Sequence, residues 1–203
     1  MYKKYPIIVF EGIEGSGKSL HIRNVQNYLK KRKAKFIKIR EPGGSKNSEK
    51  IRKLILSNNS NFNNLTDLFL YMASRSENYN NILSRYHNKK IILIDRFIDS
   101  TLAYQHYGMG INKDFIIKLN NTTLKKIRPT FTFLNTVNMK NLKYRLNKRR
   151  KNRYDRFSHS FYSKVQKGFI KLSKNNNKCM IIDSNKTISE NKKIIINKIN
   201  SII

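Results

Sequence analysis

A chain of 203 residues, 38% hydrophobic and with Cys179 as its one cysteine, predicts a single domain with a proper core and excludes an internal disulfide or a cysteine-based zinc site. No apolar run approaches the roughly 20 residues of a membrane span, and neither leader nor anchor is expected before the first strand, which fits a reducing cytoplasm. The net charge of +31 would suit a nucleic-acid binder, but the lysines run along the whole chain beside abundant Asn and Ile; this reads as compositional drift that attracts anions such as nucleotides, not as a specific nucleic-acid surface.

Ile7 to Phe10 reads as a short buried strand. It leads into Gly12-Ile13-Glu14-Gly15-Ser16-Gly17-Lys18-Ser19, which fits the phosphate-loop pattern G-x-x-x-x-G-K-[ST]. The glycines open backbone conformations closed to residues with a Cβ, so successive N–H groups can turn inward on a phosphate chain while the next helix offers its positive end. In such a loop the lysine, Lys18, reaches the β- and γ-phosphates, and the Ser19 hydroxyl ligates Mg²⁺. The expected ATP site therefore runs from Gly12 to Leu20.

Leu20, Ile22, Val25 and Leu29 form a helical stripe after the loop. Phe36 to Ile39 is a second strand, ending in the turn Arg40-Glu41-Pro42-Gly43-Gly44. A short helix over Glu49 to Leu56 and an Asn-rich loop over Ser57 to Asn64 follow. Thr66 to His87 is a long helix in which Leu68, Tyr71, Met72, Arg75, Tyr79, Ile82 and Leu83 share a face; most are core, and Tyr71 and Arg75 are site candidates. Ile91 to Asp95 is an apolar strand that delivers a carboxylate to its carboxyl end, where ligands bind in parallel sheets.

A strand around Phe131 to Leu134 and a helix from Met139 to Asn147 come next. Lys148 to Arg156 is the densest basic run, by itself a solvated loop. Phe161 to Leu172 reads as helix, Cys179 to Ile182 as a last strand and Ser189 to Ile202 as a closing helix. The alternation predicts an α/β three-layer sandwich around a parallel sheet of about five strands.

Four stretches, in order, carry a resemblance over nearly the whole chain: Glu11 to Ser19, Arg40 to Gly44, Asp95-Arg96-Phe97 with Ser100 and Ala103-Tyr104-Gln105, and Asp155-Arg156. They resemble the bacterial thymidylate kinases. The resemblance implies the P-loop nucleoside-monophosphate kinase fold, transfer of the γ-phosphoryl of ATP to thymidine 5′-monophosphate (dTMP), Mg²⁺ as cofactor, and a homodimer packed through the long helices. It implies that Glu14 takes the acceptor 3′-hydroxyl, that Arg96 holds the acceptor phosphate, and that Asp95 stands with Ser19 near the metal. Arg40 and Pro42 belong to the acceptor side. Tyr71 stacks on thymine one turn before Arg75, and Ser100, Thr101, Tyr104 and Gln105 line the rest, with Tyr104 crowding the 2′ side.

Gly15 brings no charge to the phosphate loop, so the resemblance implies a mobile lid at about 148–160 with Arg149, Arg150, Arg153 and Arg156 as candidate arginine fingers, Arg153 first. Lys18, Arg96 and Arg153 are thus the expected catalytic residues. The chain departs from the family pattern at His106 and Met109, where glycine and arginine are usual. Two other readings stand beside this one: a deoxynucleoside kinase with Glu41 pressed into service as base, and a basic nucleic-acid-binding P-loop ATPase.

Overall fold

The computed structural model describes residues 5–148, 152–174 and 176–203. Among them, β1 (Ile7–Glu11), β2 (Phe36–Arg40), β3 (Ile91–Asp95), β4 (Phe131–Thr136) and β5 (Cys179–Asp183) form one parallel sheet in the order β2-β3-β1-β4-β5. Every residue of β1 is buried, and Val9 lies in register between Ile94 of β3 and Thr132 of β4. A central strand covered on both faces is apolar along its packed length, which is why β1 up to Phe10 and β3 up to Ile94 read as unbroken hydrophobic runs.

Alternate residues of β1 serve opposite layers. Ile8 and Phe10 pack with Ile22, Val25 and Leu29 of α1 (Lys18–Lys31) and with Ile195 and Ile199 of the closing helix Ile188–Ile202. Ile7 and Val9 pack with Leu83, Ile92, Ile94, Phe97 and Leu124 on the other face. A third cluster, around Ile13, Tyr104, Leu142, Tyr154 and Phe169, lies under the phosphate loop. Each fully buried aliphatic or aromatic side chain contributes about 1.5–3 kcal/mol to holding the loop on this base.

The helix α2 covers Lys46–Leu56, and α3, Asn64–Asn78, starts two residues earlier than its apolar pattern predicts because the Asn63 side chain caps it, accepting the Thr66 N–H at 2.8 Å. It runs on through a π-helical turn, Tyr79–Leu83, to Ser84–Tyr86. The stretch after Asp95, for which the sequence suggested no elements, is helical: α4 (Ile98–Thr101) passes into a π-helical segment (Leu102–Gly108), and α5 (Lys113–Leu124) follows. The helix α6 spans Met139–Asn147, α7 His159–Ser173 and α8 Ile188–Ile202. Gly168 of α7 lets the π segment come close, since a Cβ there would lie 2.6 Å from the Tyr107 ring. Among the described residues no helix is long and apolar enough to cross a membrane.

Candidate active site

The phosphate loop leaves β1 at Gly12, whose φ of 132° and whose approach to β4 both require glycine: a Cβ there would lie 2.2 Å from the Asn135 carbonyl oxygen. Lys18 folds back into the loop, and its Nζ donates to the carbonyls of Gly12 at 2.9 Å and Ile13 at 2.8 Å. Burial pushes the Lys18 ammonium down to about 7, with Arg96 adding to the effect and Asp95, Glu14 and Glu11 opposing it. The Ser19 hydroxyl donates to Asp95 Oδ2 at 3.0 Å, so the strand-end carboxylate and the loop hydroxyl meet at one point. The Ile13 side chain is fully buried in the core and offers the site only its backbone, whereas Leu20 lines the cavity.

That cavity has a volume of about 450 Å³ and runs from Gly15, Gly17 and Lys18 to Arg40, Tyr71 and Arg96. Arg96 follows β3 in a left-handed conformation, φ 69°, and its backbone N–H is fixed on the Phe10 carbonyl at 3.0 Å. Its Nη1 donates to the Gly12 carbonyl and its Nη2 to Glu14 Oε1, both at 2.8 Å, and the Tyr104 hydroxyl donates to the other oxygen of Glu14. Burial opposes ionisation of Glu14, but Arg96 and Lys18 outweigh it and hold the carboxyl below its ordinary range. Beside this trio a narrow cleft is lined by Glu14, Tyr71, Arg96, Ser100, Tyr104 and Gln105. Gln105 is fully buried there, and among the described residues neither atom of its amide has a partner.

Two of the expected acceptor residues lie behind the cleft. Arg75 is 1% exposed and fully engaged: Nε donates to Glu41 Oε2 at 2.7 Å, Nη2 to the Phe97 carbonyl at 2.9 Å, and Nη1 to Thr101 Oγ1 at 2.9 Å and to Asn120. Arg75 and Thr101 therefore line neither cavity, and the arginine braces the turn after β2 against the turn after β3. Arg40 and Pro42 line the cavity, with Arg40 in a two-point pair with Glu49 and the Pro42 carbonyl accepting from Arg52 at 2.6 Å. Glu41, which a deoxynucleoside kinase would need as a base, has its carboxylate committed to Arg75.

A family profile described as "Thymidylate kinase" matches residues 10–195. A thymidylate kinase of Thermosipho africanus is 37% identical over 183 residues, covering 89% of this chain and 90% of that one. One from a Sulfurihydrogenibium species is 36% identical over 195 residues, 95% of each chain. The chain belongs to the thymidylate kinase family. The crystal structure of the thymidylate kinase from Ehrlichia chaffeensis superposes with a TM-score of 0.79 at 31% identity, over 96% of this chain and 98% of that one.

In this family member the expected lid falls partly outside the described residues, which include neither Arg149 nor Arg150. Arg153, on the single 3₁₀ turn Arg153–Arg156, pairs through Nη2 with Asp67 of α3 and lies over the rings of Phe62 and Tyr154, at 5.6 and 5.2 Å. It is thus held at α3 and does not line the cavity, and Arg156 is exposed.

Several cavity and supporting residues had no signal in the sequence. Arg145 of α6 lines the cavity and donates to the Gly15 carbonyl and the Ser184 carbonyl, both at 2.9 Å. Its place on a predicted helix was legible, but its partners lie 130 and 39 residues away. The roles of Glu11, Asp67 and Tyr154 were equally unread, although Glu11 opens the first stretch of the resemblance: Glu11 anchors the turn after β3, and Asp67 accepts from both Arg153 and the Tyr154 hydroxyl.

Proposed function

We infer that this kinase transfers the γ-phosphoryl group of ATP to dTMP, giving ADP and dTDP, through the residues just described. The observation that carries the reading is convergence. Lys18, Ser19 and Asp95 border the same cavity as Glu14, Tyr71 and Arg96, and the last three continue into the cleft that ends at Gln105. Cations thus meet a phosphate chain from one side and an acceptor nucleotide from the other.

The acceptor phosphate is ionised at neutral pH, so its oxygen can attack the γ-phosphorus without a general base while the bond to the β-phosphate oxygen breaks and ADP departs. Catalysis is then alignment plus stabilisation of an anionic, loose transition state. Lys18 serves the donor and Arg96 the acceptor phosphate. Glu14, with its charge fixed by Arg96, accepts from the sugar hydroxyl, and Tyr71 with Gln105 receives the base. Arg153 or a neighbouring lid arginine supplies the remaining charge.

The pairing of Ser19 with Asp95 fits Mg²⁺, a cation that keeps several waters and takes few protein oxygens. Ser19 and Asp95 are the residues that would hold the ion beside the bound phosphates. Bound there, the ion would neutralise charge on the β- and γ-phosphates.

A homodimer is supported by an exposed apolar face. Leu54 of α2, Leu65 and Phe69 of α3, and Phe115 of α5 are 38–53% exposed, with the Phe69 and Phe115 rings edge to face at 6.3 Å. Sedimentation of Phe69→Glu as a monomer beside a dimeric parent checks this. With ATP and dTMP as substrates the place of action is the cytoplasm. A coupled assay offering Mg-ATP with each nucleoside monophosphate and with thymidine tests the function: dTMP is expected to turn over fastest, and faster turnover of thymidine or uridylate overturns the reading.

A further inference from the structure

A second cavity, of about 280 Å³, lies between α4, α5 and the amino ends of β4 and β5, and shares no lining residue with the catalytic cavity. Its polar groups are unusual. Asn120 is 3% exposed and gives its Oδ1 to Arg75, yet among the described residues its Nδ2 has no acceptor. Asp99 presents a carboxylate that takes no hydrogen bond from a described residue. Ile117 and Pro129 contribute apolar wall, and Lys178 and Arg128 bring positive charge to the rim, Arg128 with part of its guanidinium already donating to the Lys125 and Ile127 carbonyls and to Asn121.

We propose that this cavity binds a guanine nucleotide. Of the three amides that line the cavity, Asn120 alone has a buried donor without a partner among the described residues; a carboxylate with two open oxygens beside that donor asks for a ligand with two N–H groups side by side and an acceptor next to them. The Watson–Crick edge of guanine offers that set, N1–H and N2–H for Asp99 and O6 for Asn120. On the same edge adenine, cytosine and thymine each present one donor. Ile117 and Pro129 suit the faces of a flat ring, while Arg128 and Lys178 suit a phosphate. The volume is near the lower end of ligand pockets, roughly 300–1,000 Å³, which fits one nucleotide with its phosphate at the rim.

The position gives binding a consequence for turnover. Asp99 sits on α4 between Arg96 and Ser100, and Asn120 holds Arg75, which in turn holds Glu41 of the cavity wall. A ligand that orders Asp99 and Asn120 changes the affinity for dTMP, and dTMP changes its affinity by the same factor.

The test is calorimetric titration of guanosine 5′-monophosphate into the full chain with its catalytic cavity saturated by ADP and dTMP, so that it needs no turnover and stands apart from the assigned reaction. One further site is expected, weakened at least tenfold by Asp99→Asn and at least threefold by Lys178→Glu, a rim change that spares the packing if Asp99→Asn fails to fold. Inosine 5′-monophosphate, which lacks the N2 amino group, is expected to bind at least tenfold more weakly. No binding at millimolar nucleotide, as for a cavity holding water only, or binding unaltered by both variants, overturns the proposal. Equal dTMP affinity with and without saturating guanosine 5′-monophosphate overturns its regulatory half.

Discussion

Glu11 holds Ser100 twice: one carboxylate oxygen accepts the Ser100 backbone N–H at 3.1 Å and the other accepts its hydroxyl, while the Phe97 N–H reaches the first oxygen at 2.8 Å. The last residue of β1 thereby locks the turn that carries Arg96. Burial, and then the nearby charge of Asp99, push the Glu11 carboxyl up to about 7.

Two substitutions separate the shape of this contact from its charge. Glu11→Ala leaves two backbone N–H groups unpaired at about 1–3 kcal/mol each, and it should both lower stability and raise the KM for dTMP. Glu11→Gln keeps an oxygen for both N–H groups and turns an amide donor to the Ser100 hydroxyl, so turnover should stay within about threefold of the parent at a cost of about 1 kcal/mol or less. The pH dependence has a definite sign. A folded value raised from 4.5 to about 7 means that Glu11 contributes fully below 4.5 and loses its contribution as pH rises through 7. Urea unfolding at pH 5 and pH 8 should therefore show the parent losing ground to Glu11→Gln at the higher pH, and parallel curves would contradict the assignment.

In the proposed reaction Lys18 is the group whose charge meets the transferred phosphoryl. Lys18→Ala should lower kcat by at least about a hundredfold, as loss of one preorganised transition-state donor does elsewhere, with the protein still folded by circular dichroism. Retained turnover would remove the phosphate loop from the mechanism. Because burial holds the ammonium down to about 7 in the free protein, anionic phosphates arriving beside it should restore its proton. At pH 8, where the phosphates of ADP are already ionised, calorimetry in buffers of different ionisation enthalpy should report proton uptake on ADP binding, and affinity should fall as pH rises further.

Gln105 gives a contrast between stability and binding. Both atoms of its buried amide are unpartnered among the described residues, so Gln105→Leu removes polar groups that cost the free protein stability and should leave the melting temperature unchanged or higher. If the amide reads the thymine edge, the same change raises the KM for dTMP about tenfold, near the upper value of one hydrogen bond. A lower melting temperature with unchanged KM would mark Gln105 as structural.

Arg153→Ala should lower kcat strongly while leaving the KM for dTMP nearly unchanged, the pattern of a contact made mainly in the transition state; arginine fingers supply about 10³-fold or more. Steady-state kinetics of the four single alanine variants at Arg149, Arg150, Arg153 and Arg156 decide the matter. If all keep kcat within about threefold of the parent, the basic run is a solvated face.

Sequence reading reached what is written in spacing. The phosphate loop, the strand that ends at Asp95 and the flanking helices follow from glycine placement, from short unbroken apolar runs and from period-3.6 patterns. The stretch from Ile98 to Leu124 did not, because the π-helical segment buries Leu102, Ala103, Tyr104 and Gln105 in succession and so erases the helical period. Side-chain roles were harder still. Arg75 follows Tyr71 by one helical turn, yet its partners come from 22 to 45 residues away and hold it behind the cleft. Arg145, Glu11 and Asp67 take their meaning only from contacts the folded chain creates.

Asp67 has one more effect. By holding the Arg153 guanidinium, it gives that side chain an internal anion of the same charge sign as the phosphoryl oxygens it would otherwise meet. If Arg153 acts as the proposed finger, the protein carries its own competitor for it, and the phosphoryl oxygens would have to out-compete a carboxylate 2% exposed to water. The barrier to transfer would then include release of that arginine from Asp67, a cost that falls on kcat and leaves the KM for dTMP as it is.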